Sequence, residues 1–298
     1  MPNSQEIISA FKSLQDRICG RLEEVDGKQN FHEDKWERAE GGGGRTRIIK
    51  EGAVIEKGGV NFSHVHGQVT DLMKRNTEIT ADEFLATGVS IVLHPNSPHI
   101  PIIHMNVRYF ELSDGKYWFG GGIDLTPHYV VKEQAKEFHK GLKQVCDKYN
   151  DSFYTDFKKW ADDYFFLPHR DETRGIGGIF FDHLDEKIGL SKAQLLAFCV
   201  ELGDLFPELY AYQVSCGKDM AVDKDHIDWM MTRRGRYVEF NLVHDRGTKF
   251  GLVSGGRTES ILMSLPPLAS WDYQKAIKSG SPEEFTQNLL RKNIDWMS

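Results

Sequence analysis

Apolar positions recur at helical spacing at the start of the chain, at Ile7, Ile8, Phe11, Leu14, Ile18 and Leu22, with Asn3 or Ser4 available as the cap. That spacing predicts a helix packed on the body of the protein. The Gly41–Gly44 run is expected to break regular structure, and from Arg47 to Leu112 the pattern changes to alternation, in Val60–His66, Val89–His94 and Ile102–Glu111. Ser113-Asp114-Gly115-Lys116 sits between Val107–Leu112 and Tyr117–Phe119, and Asp-Gly suits the positive φ angles of a tight hairpin turn, which favours antiparallel pairing.

Helical spacing returns over Lys132–Tyr149, with Ala135, Phe138, Leu142, Val145 and Tyr149 on one face, and again at Phe153, Phe157, Trp160 and Tyr164. A strand is expected at Gly178–Leu184. Ser191 with Gln194 forms a capping-box signature for a helix carrying Leu195, Phe198, Leu202 and Leu205, which Pro207 is expected to end. Arg236–Val243 and Lys249–Val253 read as a second hairpin across Asp245-Arg246-Gly247, followed by an extended Ser260–Leu265 and a Pro266-Pro267 stop. Ser281-Pro282-Glu283-Glu284 starts a last helix, with Pro at its first position. Strands in the first part and mixed elements after it predict an α+β fold, and with no repeat or low-complexity linker we expect one domain over residues 1–298.

Composition narrows the class. Hydrophobic residues at 40% and charged residues at 27% are enough for a substantial core, which excludes global disorder. A net charge of −7 argues against a general nucleic-acid binder, while leaving room for local basic pockets. No apolar run approaches the ~20 residues that span a bilayer, so no membrane span is expected. Glu6 and Asp16 make the start unlike a signal or transit peptide. Cys19, Cys146, Cys199 and Cys216 lie far apart with no Cys-x-x-Cys pair, which disfavours a disulfide framework or zinc knuckle and fits a reducing cytosol.

Candidate chemistry begins in the strand Ile102–Glu111, where alternation puts His104, Asn106 and Arg108 on one face and Ile103, Met105, Val107 and Tyr109 on the other. Ser90 and His94 likewise share a face of Val89–His94. A solvated face is the plain alternative, since antiparallel sheets often have one; against it stands the choice of His, Asn and Arg among large apolar neighbours. Arg45, Arg47, Arg108, Arg170, Arg174 and Arg257 stand beside glycines or strand ends. Arginine's fork holds a carboxylate by two parallel hydrogen bonds, and Gly255-Gly256-Arg257 would present backbone amides with a guanidinium, so a polycarboxylate ligand would suit. Taken singly, each arginine is better explained by a tight turn or an ordinary surface position.

Asp124, in Gly120-Gly121-Gly122-Ile123-Asp124-Leu125-Thr126-Pro127, either meets a large flat ligand beside the glycines or organises a turn, and the local sequence does not choose. Neither Gly175–Gly178 nor Gly41–Gly44 matches a dinucleotide or P-loop fingerprint, which rules against a nucleotide fold. His64-Val65-His66 is the best metal-like signal, with His94, His104, His139 and His169 as further candidates. In a chain with 12 histidines close pairs are unsurprising, and a required metal is not expected.

These stretches resemble the oxygen-dependent coproporphyrinogen oxidases over nearly the whole chain. The blocks are GGGGRTRIIKEGAVIEKGGVNFSHVHG at Gly41–Gly67, Leu93-His94-Pro95, His104–Phe110, WFGGGIDLTP at Trp118–Pro127, HRDETRGIGGIFFDHL at His169–Leu184, and YVEFNLVHDRGTKFGLVSGGRTESILMSLPP at Tyr237–Pro267. Two positions depart from the family's pattern, which usually has a second Asp where His183 stands and Tyr where His244 stands.

The resemblance implies a single domain with a large antiparallel sheet flanked by helices on both faces, a substrate cleft on one side, and a homodimer formed partly through the Tyr237–Trp271 region. It implies oxidative decarboxylation of the ring A and B propionates of coproporphyrinogen III to vinyl groups, with O2 as co-substrate and protoporphyrinogen IX as product. No organic cofactor is then required. Matched residue by residue, Ser90, Asn106, Val107, Arg108, Gly255, Gly256 and Arg257 fall on substrate-binding positions. Arg108 is also taken as catalytic, His104 falls on a proposed proton donor, and Asp124 on a catalytic carboxylate expected to orient pyrrole N–H groups. His94, His104, His139 and His169 fall on positions associated with a divalent metal.

Two other classes compete with this reading. A cupin-type metal oxygenase is suggested by His64-x-His66, but Thr70 and Asp71 stand where such a site wants Glu. A non-catalytic tetrapyrrole carrier would use the arginines and glycines without depending on Asp124 or oxygen.

Overall fold

The computed structural model describes residues 1–70, 74, 80–253 and 256–298. Helix α1 (Ser4–Asp26) opens on the Asn3 cap, which accepts from the Glu6 amide while the Glu6 side chain returns to the Asn3 amide, and closes on Gly27 at φ 70°. Its apolar positions Ile7, Phe11, Leu14, Ile18 and Leu22 are fully buried, as the spacing predicts.

Seven strands form one antiparallel sheet: β1 (His32–Glu37), β2 (Gly42–Lys50), β3 (Ile55–Gln68), β4 (Glu83–Pro95), β5 (Ile102–Leu112), β6 (Tyr117–Thr126) and β9 (Gly178–Leu184), in that spatial order. The β5–β6 hairpin turns at Gly115 (φ 86°). Between β6 and β9 run α2 (Lys132–Asp147), α3 (Phe153–Tyr164) and the short pair β7 (Phe166–Leu167) and β8 (Glu172–Thr173). After β9 come α4 (Lys192–Gly217), α5 (Lys224–Glu239), a π-helical turn at Phe240–His244, α6 (Arg246–Val253), α7 (Thr258–Leu262) and α8 (Pro282–Leu289). The α+β architecture with a large antiparallel sheet between helices is therefore the one expected.

Alternation along the central strands divides the two faces. Ile103, Met105, Val107 and Tyr109 join Val89, Ile91, Leu93, Ile123 and Phe181 in the main core, together with apolar residues of α1, α2, α3 and α4. The other face carries His104, Asn106 and Arg108. There Tyr237 of α5 packs on Val92 and Ile102, Phe240 joins Phe165 and Phe180, and Ser260 of α7 binds Thr46 and Asn61. The C-terminal elements thus cover one end of this face and leave Ser90 and Arg108 within reach of solvent.

Four local expectations are corrected. The glycine run does not break the chain: Gly42–Gly44 are strand residues, because an added Cβ at Gly44 would lie 2.4 Å from the Trp36 ring and 2.5 Å from the Phe62 carbonyl. Pro207 does not end its helix, since α4 runs through it to Gly217 with Pro207 itself buried. Tertiary packing outweighs the lost backbone bond, and Leu14 of α1 lies against the bare face of Gly203. The expected hairpin over Arg236–Val253 is helical. Asp223 caps α5 through the His226 amide, and Trp229, Arg233, Tyr237, Phe240 and Asn241 are buried at helical spacing, a period that the short run Tyr237–Val243 hides. Likewise the extended segment expected at Ser260–Leu265 begins inside α7.

Candidate active site

The pairing of β4, β5 and β6 lays the polar face out as rungs. Val92, His104 and Asp124 stand side by side, then Ser90, Asn106 and Gly122, then Gly88, Arg108 and Gly120. Side chains of one rung are about 5 Å apart in an antiparallel sheet, so the register alone brings His104 to Asp124.

At the inner end the Asp124 carboxylate accepts from His104 Nδ1 at 2.8 Å and from Arg174 Nη2 at 2.7 Å to each oxygen, with Arg174 Nε at 3.2 Å. Arg174 Nη1 donates to Asn241 at 2.8 Å. Its guanidinium carbon lies 4.4 Å from the ring centre of Phe165, 4.7 Å from Tyr237 and 4.6 Å from Phe240. Burial alone would push the Asp124 carboxyl up, but the Arg174 charge and the His104 ring reverse this and hold it below the ordinary carboxylate value. Since the carboxylate only accepts, His104 Nδ1 carries the hydrogen, and Nε2 is the nitrogen left to trade a proton with a ligand. Asp124 is 1% exposed. Its oxygens already serve Arg174 and His104, so the described geometry links it to the polar face through the His104 ring.

At the rim Arg108 Nη1 donates to Asn106 at 3.1 Å, and Nη2 pairs with Asp182 of β9 at 2.8 Å. Gly120 makes room for this pair, because a Cβ there would lie 2.4 Å from Asp182 Oδ1 and 2.9 Å from Arg108 Nε. Ser90 is exposed beside Asn106. A surface of hydroxyl, amide and guanidinium between bare glycines is suited to a large ligand bearing carboxylates.

Other expected residues lie elsewhere. Val107 turns its side chain into the main core, as alternation requires, so that side chain is not on the polar face. Gly255 lies outside the described residues. Gly256 and Arg257 are exposed, and Arg257 pairs with Asp34 of β1, across β2 and β3 from Ser90. The four histidines do not gather. His94 is buried with Nε2 donating to the Ser264 carbonyl at 2.9 Å, and burial pushes it down to about 3. His139 sits in the helical layer with Nε2 bound to the Ile176 carbonyl and Nδ1 to the Tyr154 hydroxyl, at 3.0 Å each. His64 and His66 do aim the same way, their ring centres 5.5 Å apart, but they share the face of Val60 and Phe62, opposite to His104. Among the described residues no three His, Cys, Asp or Glu side chains are placed to hold a metal ion.

His169 belongs to an outer cluster around Glu239. That carboxylate accepts from His169 at 2.8 Å, from Arg170 at 2.8 and 2.7 Å, from Arg236 at 3.0 Å and from Trp271 at 2.9 Å. Partial burial would raise it, yet these donors hold it down to about 2. His244 stacks on His169 at 5.1 Å and shares a 3.1 Å hydrogen bond with it, which gives that departure a defined partner.

Sequence reasoning missed Arg174 as the partner of Asp124, and it missed Asp182 altogether. The signal for Arg174 was an arginine set directly before Gly-Ile-Gly-Gly; the Ile123–Ile179 and Asp124–Gly178 pairings of β6 and β9 that bring this segment alongside are not local. With this geometry in place, residues 6–296 match the family model described as Coproporphyrinogen III oxidase, and the chain belongs to that family.

Proposed function

We propose that this protein is the oxygen-dependent form of the enzyme, converting the ring A and B propionates of coproporphyrinogen III to vinyl groups to give protoporphyrinogen IX. For each propionate, the carbon next to the ring gives up a hydrogen with its electron pair while the carboxylate leaves as carbon dioxide. One O2 takes up that hydrogen together with its electron pair and, with one further proton, becomes hydrogen peroxide. An electron-rich pyrrole reacts with oxygen directly, so the chemistry calls for no organic cofactor. Arg108, with Asn106 and Ser90, holds a propionate, and His104 Nε2 exchanges a proton, kept in its tautomer by Asp124 and Arg174.

The observation that carries this reading is the His104–Asp124–Arg174 chain at the inner end of a glycine-flanked floor bearing Arg108. An oxygen-independent route would draw on an iron–sulfur cluster held by several thiolates. Here all four cysteines are free, Cys19, Cys146 and Cys199 are buried, and burial pushes Cys19 and Cys146 up to about 12, which disfavours a shared cluster and suits a reducing cytosol. The deciding experiment incubates the protein with coproporphyrinogen III with and without oxygen and follows the oxidised products by chromatography. Divinyl product that forms only with oxygen is the expected result. Product formed anaerobically with another acceptor would overturn the oxygen dependence, and binding without turnover would favour the carrier.

The working form is proposed to be a homodimer through the Tyr237–Trp271 region, where Leu242, Val243, Phe250, Leu252, Val253 and Leu268 are exposed. Sedimentation should give a dimer, and Val253→Glu should shift it to monomer.

A further inference from the structure

Arg108 is the cation at the exposed end of the polar face, yet its guanidinium is engaged by the protein itself. Asp182 takes Nη2 at 2.8 Å and Asn106 takes Nη1 at 3.1 Å. The Asp182 side is built to stay in place. Its Oδ1 accepts from the His183 amide at 2.9 Å, and His183 holds a left-handed backbone at φ 53°, a conformation that side chains other than glycine adopt at a cost. The His183 ring lies flat on Trp118, 5.0 Å between centres at 10°, with Nδ1 3.6 Å from Asp182 Oδ2. Gly120 beneath leaves the space in which the two side chains meet.

Two features set this pair apart from a structural ion pair. It is open to solvent, with Arg108 40% and Asp182 22% exposed, so breaking it does not strand a buried charge. It also sits one rung from Ser90 and Asn106, where a ligand carboxylate would come to rest. Any carboxylate that binds Arg108 by its fork competes with the one already there.

We propose that Asp182 is a specificity-determining residue: it occupies Arg108 in the free protein and yields it to a ligand carboxylate. This rests on the substrate reading above. Asp182 thereby weakens binding of every ligand that uses Arg108, and sets the difference between a ligand that brings a carboxylate to this rung and one that does not. A product that has lost that carboxylate cannot hold Arg108 against Asp182 and leaves. His183 contributes through its backbone amide and its stack on Trp118, which keep the Asp182 carboxylate turned to the polar face.

The test is equilibrium binding of coproporphyrin III, which carries four propionates and is not turned over. Wild type, Asp182→Asn, Asp182→Ala, Arg108→Ala and Asp182→Asn/Arg108→Ala are compared as full-length proteins. Both Asp182 variants should bind about three- to tenfold more tightly than wild type. The gain should vanish in the Arg108→Ala background and for the tetramethyl ester of the same porphyrin. Unchanged or weaker binding by both Asp182 variants, with wild-type binding intact, overturns this proposal alone. A gain that persists without Arg108 overturns it too. Failure of all five proteins to bind coproporphyrin III overturns the proposal together with the substrate reading.

Discussion

Two arginine–carboxylate pairs stand on one floor, and their lengths are nearly the same: 2.7 Å for Arg174–Asp124 and 2.8 Å for Arg108–Asp182. Their surroundings differ. The inner pair is 3% and 1% exposed, enclosed by Phe165, Tyr237 and Phe240, while the rim pair is 40% and 22% exposed. Water screens the rim pair, so its partners can be exchanged for a ligand at small cost. At the inner pair the same exchange would leave a bare charge in a dry site. Distance therefore says little about role. Burial makes one pair a fixture that orients His104, and exposure makes the other a contact that a ligand can replace.

The inner pair should give the largest effects. Asp124→Asn keeps the shape but removes the charge that fixes the His104 tautomer, so kcat should fall by about 10²- to 10⁴-fold with KM changed by no more than about threefold. Equal losses in binding and turnover would instead place Asp124 on the substrate. Arg174→Ala strips the buried Asp124 carboxylate of its cation and should lower unfolding stability by about 3–5 kcal/mol, read from the guanidinium midpoint. A midpoint unchanged from wild type would show that the inner pair is no more a fixture than the rim pair.

Strand β4 offers the same contrast on a titratable group, with Ser90 exposed at the rim and His94 fully buried at the inner end. Burial holds His94 neutral, its pKa about 3 against an ordinary 6.5, aided by the nearby Arg234 charge and opposed by the Ser264 carbonyl. Between those values the unfolded chain takes up a proton that the folded chain refuses. Stability is therefore complete above pH 6.5 and is lost as pH falls from there towards 3. Going from pH 7 to pH 5 this single group should cost up to about 2 kcal/mol. His94→Gln can still donate to the Ser264 carbonyl but does not titrate, so its stability should drop less over the same interval. Parallel pH profiles for the two proteins would mean that His94 is not held neutral.

The sheet and its polar face were legible because a strand's period of two is carried by neighbouring residues, and His104, Asn106 and Arg108 show it within five positions. Helices α1 and α4 announced themselves by spacing and caps in the same local way, and α2 by spacing alone. Over Arg236–Val253 the local signal misled: Tyr237–Val243 alternates over a few residues, and only the longer series from Trp229 to Asn241 shows the helical period. The glycines at Gly42–Gly44 were misread because what crowds them arrives from other strands, the His64 carbonyl at Gly42, the Trp36 carbonyl at Gly43 and the Trp36 ring at Gly44. The candidate site divides along the same line. His104 beside Asp124 follows from a hairpin register, whereas Arg174 and Asp182 come from segments brought alongside by the β6–β9 pairing, across the whole of α2 and α3. The separation of His94, His139 and His169 is equally a matter of tertiary placement.

The smallest effect belongs to the rim. Asp182→Asn removes one charge of a partly exposed pair, keeps the shape of the side chain and can still accept from the His183 amide. Its unfolding stability should therefore stay within about 1 kcal/mol of wild type, measured by guanidinium unfolding at neutral pH. Set beside Arg174→Ala, this separates burial from distance as the cause of the difference, since the two pairs have nearly equal lengths. A loss approaching that of Arg174→Ala would mean that Asp182 is structural, and its carboxylate could not then be given up to a ligand. A small loss together with tighter porphyrin binding would assign Asp182 to recognition, because a group that contributes little to the fold while opposing the ligand is held there by its effect on binding.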